Sequence, residues 1–195
     1  KPLPKNLPGE SRQVEVPDSL LRAVSSVETP QGLLAVCRNP GLTPPDKLTG
    51  GRYLVLDGVQ DPGNLGTIWR TADAFGADGL LLVNGCADPW SPKTIRATMG
   101  ACFRLPAWEA DLETVRALLD GAGIPLYATA LRADTADVRQ VDLKRAAVVI
   151  GSEGRGISKE ALALCRRTIK IPMRERCESL NAAMAAGIVL WEMCR

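Results

Sequence analysis

Residues 53–84, YLVLDGVQDPGNLGTIWRTADAFGADGLLLVN, decide the fold. Two apolar runs, YLVLD (53–57) and GLLLVN (79–84), flank NLGTIWRTADAFG (64–76), whose apolar residues recur at helical spacing and which ends on Gly76, a residue suited to a helix C-terminus. Strands that are apolar throughout, rather than alternating, are covered on both faces, and strands separated by helices are joined in parallel. The same texture continues downstream. SPKTIRATMGA (91–101) opens a helix with Ser91 and Pro92, a short strand is expected around Arg104–Trp108, and DLETVRALLDGAG (111–123) is an amphipathic helix capped by Asp111. PLYATAL (125–131), AAVVIG (146–151) and TIKIPM (168–173) read as strands, with a helix around Ser158–Cys165 and a long apolar helix over 179–194. The expectation is one α/β domain over residues 50–195, a parallel sheet flanked by helices.

Residues 1–49 have a different texture. The first twelve, KPLPKNLPGESR, form a flexible arm by composition; a short helix and a strand at Leu33–Cys37 follow, and NPGLTPPDKLTGG (39–51) is a linker. These pieces are too small to bury a core of their own, and the chain opens on Lys1 rather than Met, so they read as the remnant of a larger N-terminal domain.

Composition narrows the chemistry. The 195 residues are 46% hydrophobic and 24% charged, with a net charge of only +2, so a nucleic-acid partner must be argued from local sites. No run is long enough to span a membrane, no secretory signal is visible, and six cysteines without a C-x-x-C pair suit reduced thiols, which together point to the cytoplasm. Histidine is absent, which removes serine–histidine triads, imidazole bases and histidine-ligated metals; no metal is expected.

Three segments carry polar residues where ligands bind. In the first, the turn after YLVLD leads into a helix carrying Asn64 and Arg70; helix capping alone would also explain Asn64, and a surface ion pair would explain Arg70. The second is VVIGSEGRGIS (148–158), a strand running into a loop with three glycines. Such loops usually cradle phosphate with bare N–H groups, yet Glu153 would repel an anion, and neither nucleotide-binding glycine pattern fits. The third is IKIPMRERCESLNAAMAAG (169–187), where an irregular stretch leads to Ser179 or Asn181 at the start of a small-residue helix.

Taken together and in this order, N-L-G-x-x-x-R-T-A-x-A-F-G, V-I-G-x-E-G-x-G-I-S and I-P-M…S-L-N-x-x-x-A-x-x-I resemble the three motifs of the SpoU (TrmH) family of RNA 2′-O-ribose methyltransferases, over residues 52–194. SSVETPQGLLAV similarly resembles the end of the small substrate-binding domain that often precedes the family's catalytic domain. The resemblance implies a C-terminal trefoil knot, where residue patterning alone would give an ordinary doubly wound sheet. It implies S-adenosylmethionine as cofactor, a sulfonium with no phosphate, contacted at Gly151, Ile171 and Leu180, with Thr129 at a neighbouring strand end. It places Arg70 at the ribose hydroxyl, with Asn64, Ser179 and Asn181 orienting it and Glu153 holding Arg70 or a neighbouring polar group. An arginine is a poor base, so stabilising the developing alkoxide is the contribution favoured on physical grounds. The cluster CRRTIKIPMRER (165–176) then reads as phosphate contacts from Arg166, Arg167, Lys170, Arg174 and Arg176. Eight aromatic residues (four Trp, two Tyr, two Phe) are too few for a base-stacking platform, so recognition of a structured RNA, ribosomal rather than transfer RNA, would lean on shape and on a homodimer partner. Trp69 stands where the family usually has a smaller aliphatic residue. A transfer-RNA substrate, a non-catalytic RNA-binding protein and a nucleotide-dependent oxidoreductase are the competing readings.

Overall fold

A computed structural model describes residues 12–130, 132, 135–174, 176, 177 and 179–195. It divides into two compact units, one ending at Pro40 and the other beginning at Gly41. In the first, helix α1 (Asp18–Val24) follows Pro17 and buries none of its residues. The expected strand at Leu33–Cys37 does not form: Leu33, Leu34 and Val36 are exposed, and no described residue offers them a strand partner. An extended segment without a neighbour has no ladder to join.

The second unit begins within the expected linker, because the linker packs. The Leu42 carbonyl accepts from the Glu109 N–H at 2.8 Å, and Leu48 is buried. Strands β1 (Arg52–Asp57), β2 (Gly79–Val83), β3 (Ala107–Glu109), β4 (Leu126–Thr129), β5 (Ala136–Asp137), β6 (Ala146–Gly151) and β7 (Arg167–Lys170) form one sheet in the order β3-β2-β1-β6-β4-β7-β5. Every pairing is parallel, as the uninterrupted apolar runs require. Alternate residues of those runs feed two separate cores. Leu54, Leu56, Leu80, Leu82, Val148 and Ile150 lie in one, with α2 (Pro62–Ala74) and α6 (Ala182–Cys194). Tyr53, Val55, Leu81, Val83, Ala147 and Val149 lie in the other, with α4 (Leu112–Ala122). Helices α3 (Pro92–Thr98) and α5 (Lys159–Leu164) complete the unit.

Most caps fall where side-chain chemistry places them: Ser91, Asp111 and Ser158 accept from the N–H three residues on. Helix α2 differs. Its cap is Asp61, which accepts from the Asn64 N–H at 2.7 Å, with Pro62 in the first turn. Asn64 therefore lies inside the helix with its side chain free for other work. Three strands also differ from expectation. β3 starts at Ala107 after a 3₁₀ turn at Ala101–Phe103, β4 ends at Thr129 with Leu131 outside the described residues, and β7 stops at Lys170.

Two close contacts fix α2. A Cβ on Gly66 would stand 2.5 Å from the Ala97 Cβ and 2.6 Å from the Thr94 carbonyl oxygen, so α2 and α3 approach over a position only glycine can fill. Trp69 is buried, donates from its indole nitrogen to the Leu105 carbonyl at 2.9 Å, and tilts against Trp90 at a centroid distance of 6.0 Å. Its bulk bridges α2 to the segment before β3, which accounts for a large aromatic here. Among the described residues no helix is long and apolar enough to cross a membrane.

Candidate active site

In a parallel sheet all carboxyl ends lie along one edge, and ligands bind there. The registers Asp57↔Gly151, Ala128↔Val149 and Thr129↔Ile169 bring the ends of β1, β6, β4 and β7 together. A cavity of about 390 Å³ opens at this edge. Its walls are mostly apolar, including Ile150, Ile157, Ile169, Ile171, Met173 and Leu180. Thr129, Ser152, Glu153, Lys170 and Ser179 are its polar members.

Gly151 shapes one wall. After it the chain turns back on itself: Ser152 and Gly156 exchange backbone hydrogen bonds at 3.1 and 2.9 Å, and Gly156 has φ 67°. A Cβ on Gly151 would meet the carbonyl carbon and oxygen of Gly156 at 2.3 and 2.5 Å and the Ile157 nitrogen at 2.5 Å. The glycines therefore let the loop fold flat over the end of its own strand. They serve a close turn in which the N–H groups of Ser152, Arg155, Gly156 and Ser158 are taken up by acceptors of the protein, in keeping with the negative charge of Glu153 on the same loop.

Glu153 reaches the start of α2, where its carboxylate accepts from the Asn64 carboxamide. The Asn64 oxygen in turn accepts from the Asn181 amide nitrogen at 3.1 Å. Asn181 caps α6, its oxygen accepting from the Ala183 and Met184 N–H groups at 2.9 and 3.3 Å. These bonds form one directional chain from α6 through Asn181 and Asn64 to Glu153. Each amide has its orientation set, because its oxygen faces a donor and its nitrogen an acceptor. Residues from three segments distant in sequence thus meet at one rim.

Gly151, Ile171, Leu180 and Thr129 all line the cavity, as does Ser179. The Thr129 hydroxyl donates to the Val149 carbonyl at 2.8 Å. Arg70 is exposed, six residues farther along α2 than Asn64, and its side chain makes no hydrogen bond or ion pair with the described residues. Of the partners expected for Glu153, Arg70 or a neighbouring polar group, it bonds the second kind, the Asn64 carboxamide. Of the basic cluster, Lys170 lines the cavity, and Arg174 and Arg176 are exposed in the segment after β7. Arg166 and Arg167 lie at the amino end of β7, where the Arg166 N–H donates to the Leu126 carbonyl. They therefore sit at the opposite edge of the sheet from the cavity, against the expectation that all five flank it. Met173 and Leu162 also line the cavity and were not anticipated; irregular or short helical segments give no periodic signal to find them by.

Two thiols near the sheet edges are chemically quiet. Burial pushes Cys86 up to about 11 and Cys165 up to about 12. Neither supplies a thiolate nucleophile near neutral pH.

A largely apolar cavity at the strand ends, with a few polar groups among its lining, is where such a sheet binds a small molecule. Known proteins resemble this chain in sequence and in fold. Residues 51–191 match the model of the SpoU rRNA Methylase family. The 23S rRNA (guanosine(2553)-2′-O)-methyltransferase RlmP of Bacillus subtilis is 37% identical over 173 residues, covering 88% of this chain and 68% of its own length. An AdoMet-bound rRNA methyltransferase from Sinorhizobium meliloti superposes with a TM-score of 0.70 at 42% identity, over 75% of this chain and 57% of that one. The SpoU methyltransferase AviRb from Streptomyces viridochromogenes, in complex with AdoMet, gives 0.69 at 34% identity, over 73% of this chain and 58% of that one. The chain thus spans only part of each relative's length.

Proposed function

The chain belongs to the SpoU rRNA methylase family, and on that premise we propose that it moves a methyl group from S-adenosylmethionine to a ribose 2′-hydroxyl of RNA, ribosomal RNA in particular. The observation that carries this reading is the joining of Asn64, Glu153 and Asn181 at the rim of an apolar, glycine-cradled cavity. The cofactor, when bound, supplies a methyl carbon already activated by its sulfonium. The chain itself has to position groups and manage one proton.

Gly151, Ile171 and Leu180 form the slot for the adenosine portion, and Thr129 adds a hydroxyl at its floor. Glu153 holds the Asn64 amide so that its nitrogen faces the loop and its oxygen faces α6. Ser179 and Asn181 mark the entry of α6, where the ribose comes to rest. Arg70 projects from the same helix as Asn64 without a protein partner among the described residues, which leaves its guanidinium available to the 2′-oxygen and an adjacent phosphate. There it stabilises the developing alkoxide while the hydroxyl proton passes to solvent water. Lys170, Arg174 and Arg176, on the cavity side of β7, hold the RNA backbone.

The family's trefoil knot belongs to the return of the chain from β7 to the α2 face, where α6 packs. Helix α6 also leaves an apolar stripe exposed, with Met184 and Trp191 two turns apart, and this face serves a homodimer. The six unpaired thiols fit a cytoplasmic setting.

Incubation with S-adenosylmethionine labelled in its methyl group and with ribosomal RNA tests the proposal. The expected product carries label on a ribose and resists alkaline cleavage at one internucleotide bond. Label on a base, or binding of a nicotinamide dinucleotide in place of S-adenosylmethionine, overturns it.

A further inference from the structure

Asp57 is the last residue of β1 and is only 3% exposed. A carboxylate so deep in a protein requires hydrogen bonds to both oxygens. Both are satisfied, and by a particular pair of partners. One oxygen accepts from the Asn84 side-chain nitrogen at 2.7 Å. The other accepts from the backbone N–H of Ser158 at 2.7 Å, across 101 residues of sequence. The Asn84 nitrogen also reaches the Ser158 hydroxyl at 3.2 Å. Asn84 holds this position in a left-handed conformation, φ 55°, which asparagine tolerates better than most residues.

The placement of the two ends matters. Asp57 is in register with Gly151, where the cofactor loop begins, and its side chain grips Ser158, where the loop ends and α5 starts. The backbone just before Ser158 is Gly156 and Ile157, which line the cavity. One side chain therefore closes the base of the loop, while Asn64 holds its tip through Glu153.

We propose that Asp57, oriented by Asn84, is a positioning residue for the cofactor: it staples the two ends of the 151–158 loop so that the adenosine slot exists before ligand arrives. This rests on the cofactor reading given above. It predicts an effect on affinity rather than on chemistry, because Asp57 does not line the cavity and its carboxylate bonds Asn84 and Ser158 rather than Asn64, Glu153 or Asn181.

The test compares wild type, Asp57→Asn and the exchanged pair Asp57→Asn with Asn84→Asp. The exchange keeps one carboxylate and one amide between the same partners. Calorimetric titration with S-adenosylmethionine is paired with hydrogen exchange at residues 151–158, measured without ligand. Asp57→Asn should weaken binding about tenfold or more, since a hydrogen bond to a charged group is lost. It should raise KM for the cofactor and leave kcat at saturation within about threefold, because the reacting groups are untouched. Loop amides should exchange faster, and the exchanged pair should recover most of the affinity. Should Asp57→Asn fail to fold, Asn84→Ala, at an exposed residue, should show the same faster exchange confined to the loop. Unchanged affinity and unchanged exchange in the variants overturn the staple. A wild type that binds no S-adenosylmethionine overturns the cofactor reading instead, and the exchange data then decide the staple alone.

Discussion

The Asn64 carboxamide donates to the Glu153 carboxylate across 89 residues of sequence, and this bond ties the glycine loop to the first turns of α2. Glu153 is exposed and Asn64 half-buried, so the bond serves geometry more than stability. Glu153→Gln keeps the shape and removes the charged acceptor. It should lower kcat roughly tenfold to a hundredfold while changing the melting temperature by no more than about 2 °C. Steady-state methyl transfer with a parallel thermal melt checks both halves; full activity in the variant would detach the bond from catalysis.

Arg70 is expected to act only once RNA is present. Arg70→Ala should reduce turnover by about a hundredfold to a thousandfold, as loss of an oxyanion-stabilising donor does. Affinity for S-adenosylmethionine should stay within about twofold, because Arg70 does not line the cavity. Calorimetry on the same preparation separates the two effects, and loss of cofactor binding would make Arg70 a structural residue.

Gly151→Ala tests the cradle by volume. Its methyl group would land 2.3–2.5 Å from backbone atoms of Gly156 and Ile157, which cannot rotate away as a side chain could. The loop must lift, and affinity for the cofactor should fall by about a hundredfold or more, with overpacking costing a further 1–3 kcal/mol of stability. Titration of the variant, with a denaturant melt, measures each.

The split of the basic cluster predicts unequal salt effects. Lys170→Ala and Arg174→Ala should each reduce the slope of log K against log salt for RNA by about one unit per lost phosphate contact. Arg166→Ala and Arg167→Ala, at the far edge of the sheet, should leave the slope unchanged. Filter binding between low and moderate salt distinguishes the pairs.

Thiol reactivity offers a pH test. With the Cys86 thiol raised to about 11 by burial, only about one molecule in a thousand is a thiolate at pH 8, and Cys165, raised to about 12, holds still less. Iodoacetamide at pH 8 should therefore modify the exposed Cys37, Cys177 and Cys194 first. The sign follows from the neutral form being favoured by the fold: protection of Cys86 holds below pH 9 and weakens as pH approaches 11. Peptide mapping after timed labelling reads the order.

Much of the fold was legible because strands covered on both faces announce themselves as unbroken apolar runs, and because Ser91, Asp111 and Ser158 cap helices by simple chemistry. Strand order was not legible, since a parallel crossover can place its next strand on either side. Strand β5, two residues long, carries no period at all. The cap of α2 was readable in principle: Pro62 in the first turn points to Asp61 rather than Asn64. The basic cluster misled because nearness in sequence crosses a strand, where each residue advances about 3.3 Å and four residues carry Arg166 and Lys170 to opposite edges. Asp57 went unnoticed as a staple because its partners Asn84 and Ser158 lie in segments that only the sheet brings together. The rim residues are legible as a family motif, whereas their mutual bonds arise only where folding joins the three segments.

Leu180, Ala182 and Ala185, which follow all seven strands in sequence, complete the cavity wall. During synthesis the strands from β1 to β6 leave the ribosome while those residues are still being joined or lie inside the exit tunnel. A chain that stops short of α6 therefore has an incomplete slot, and binding of a methyl donor is expected to appear only after α6 has left the tunnel and packed.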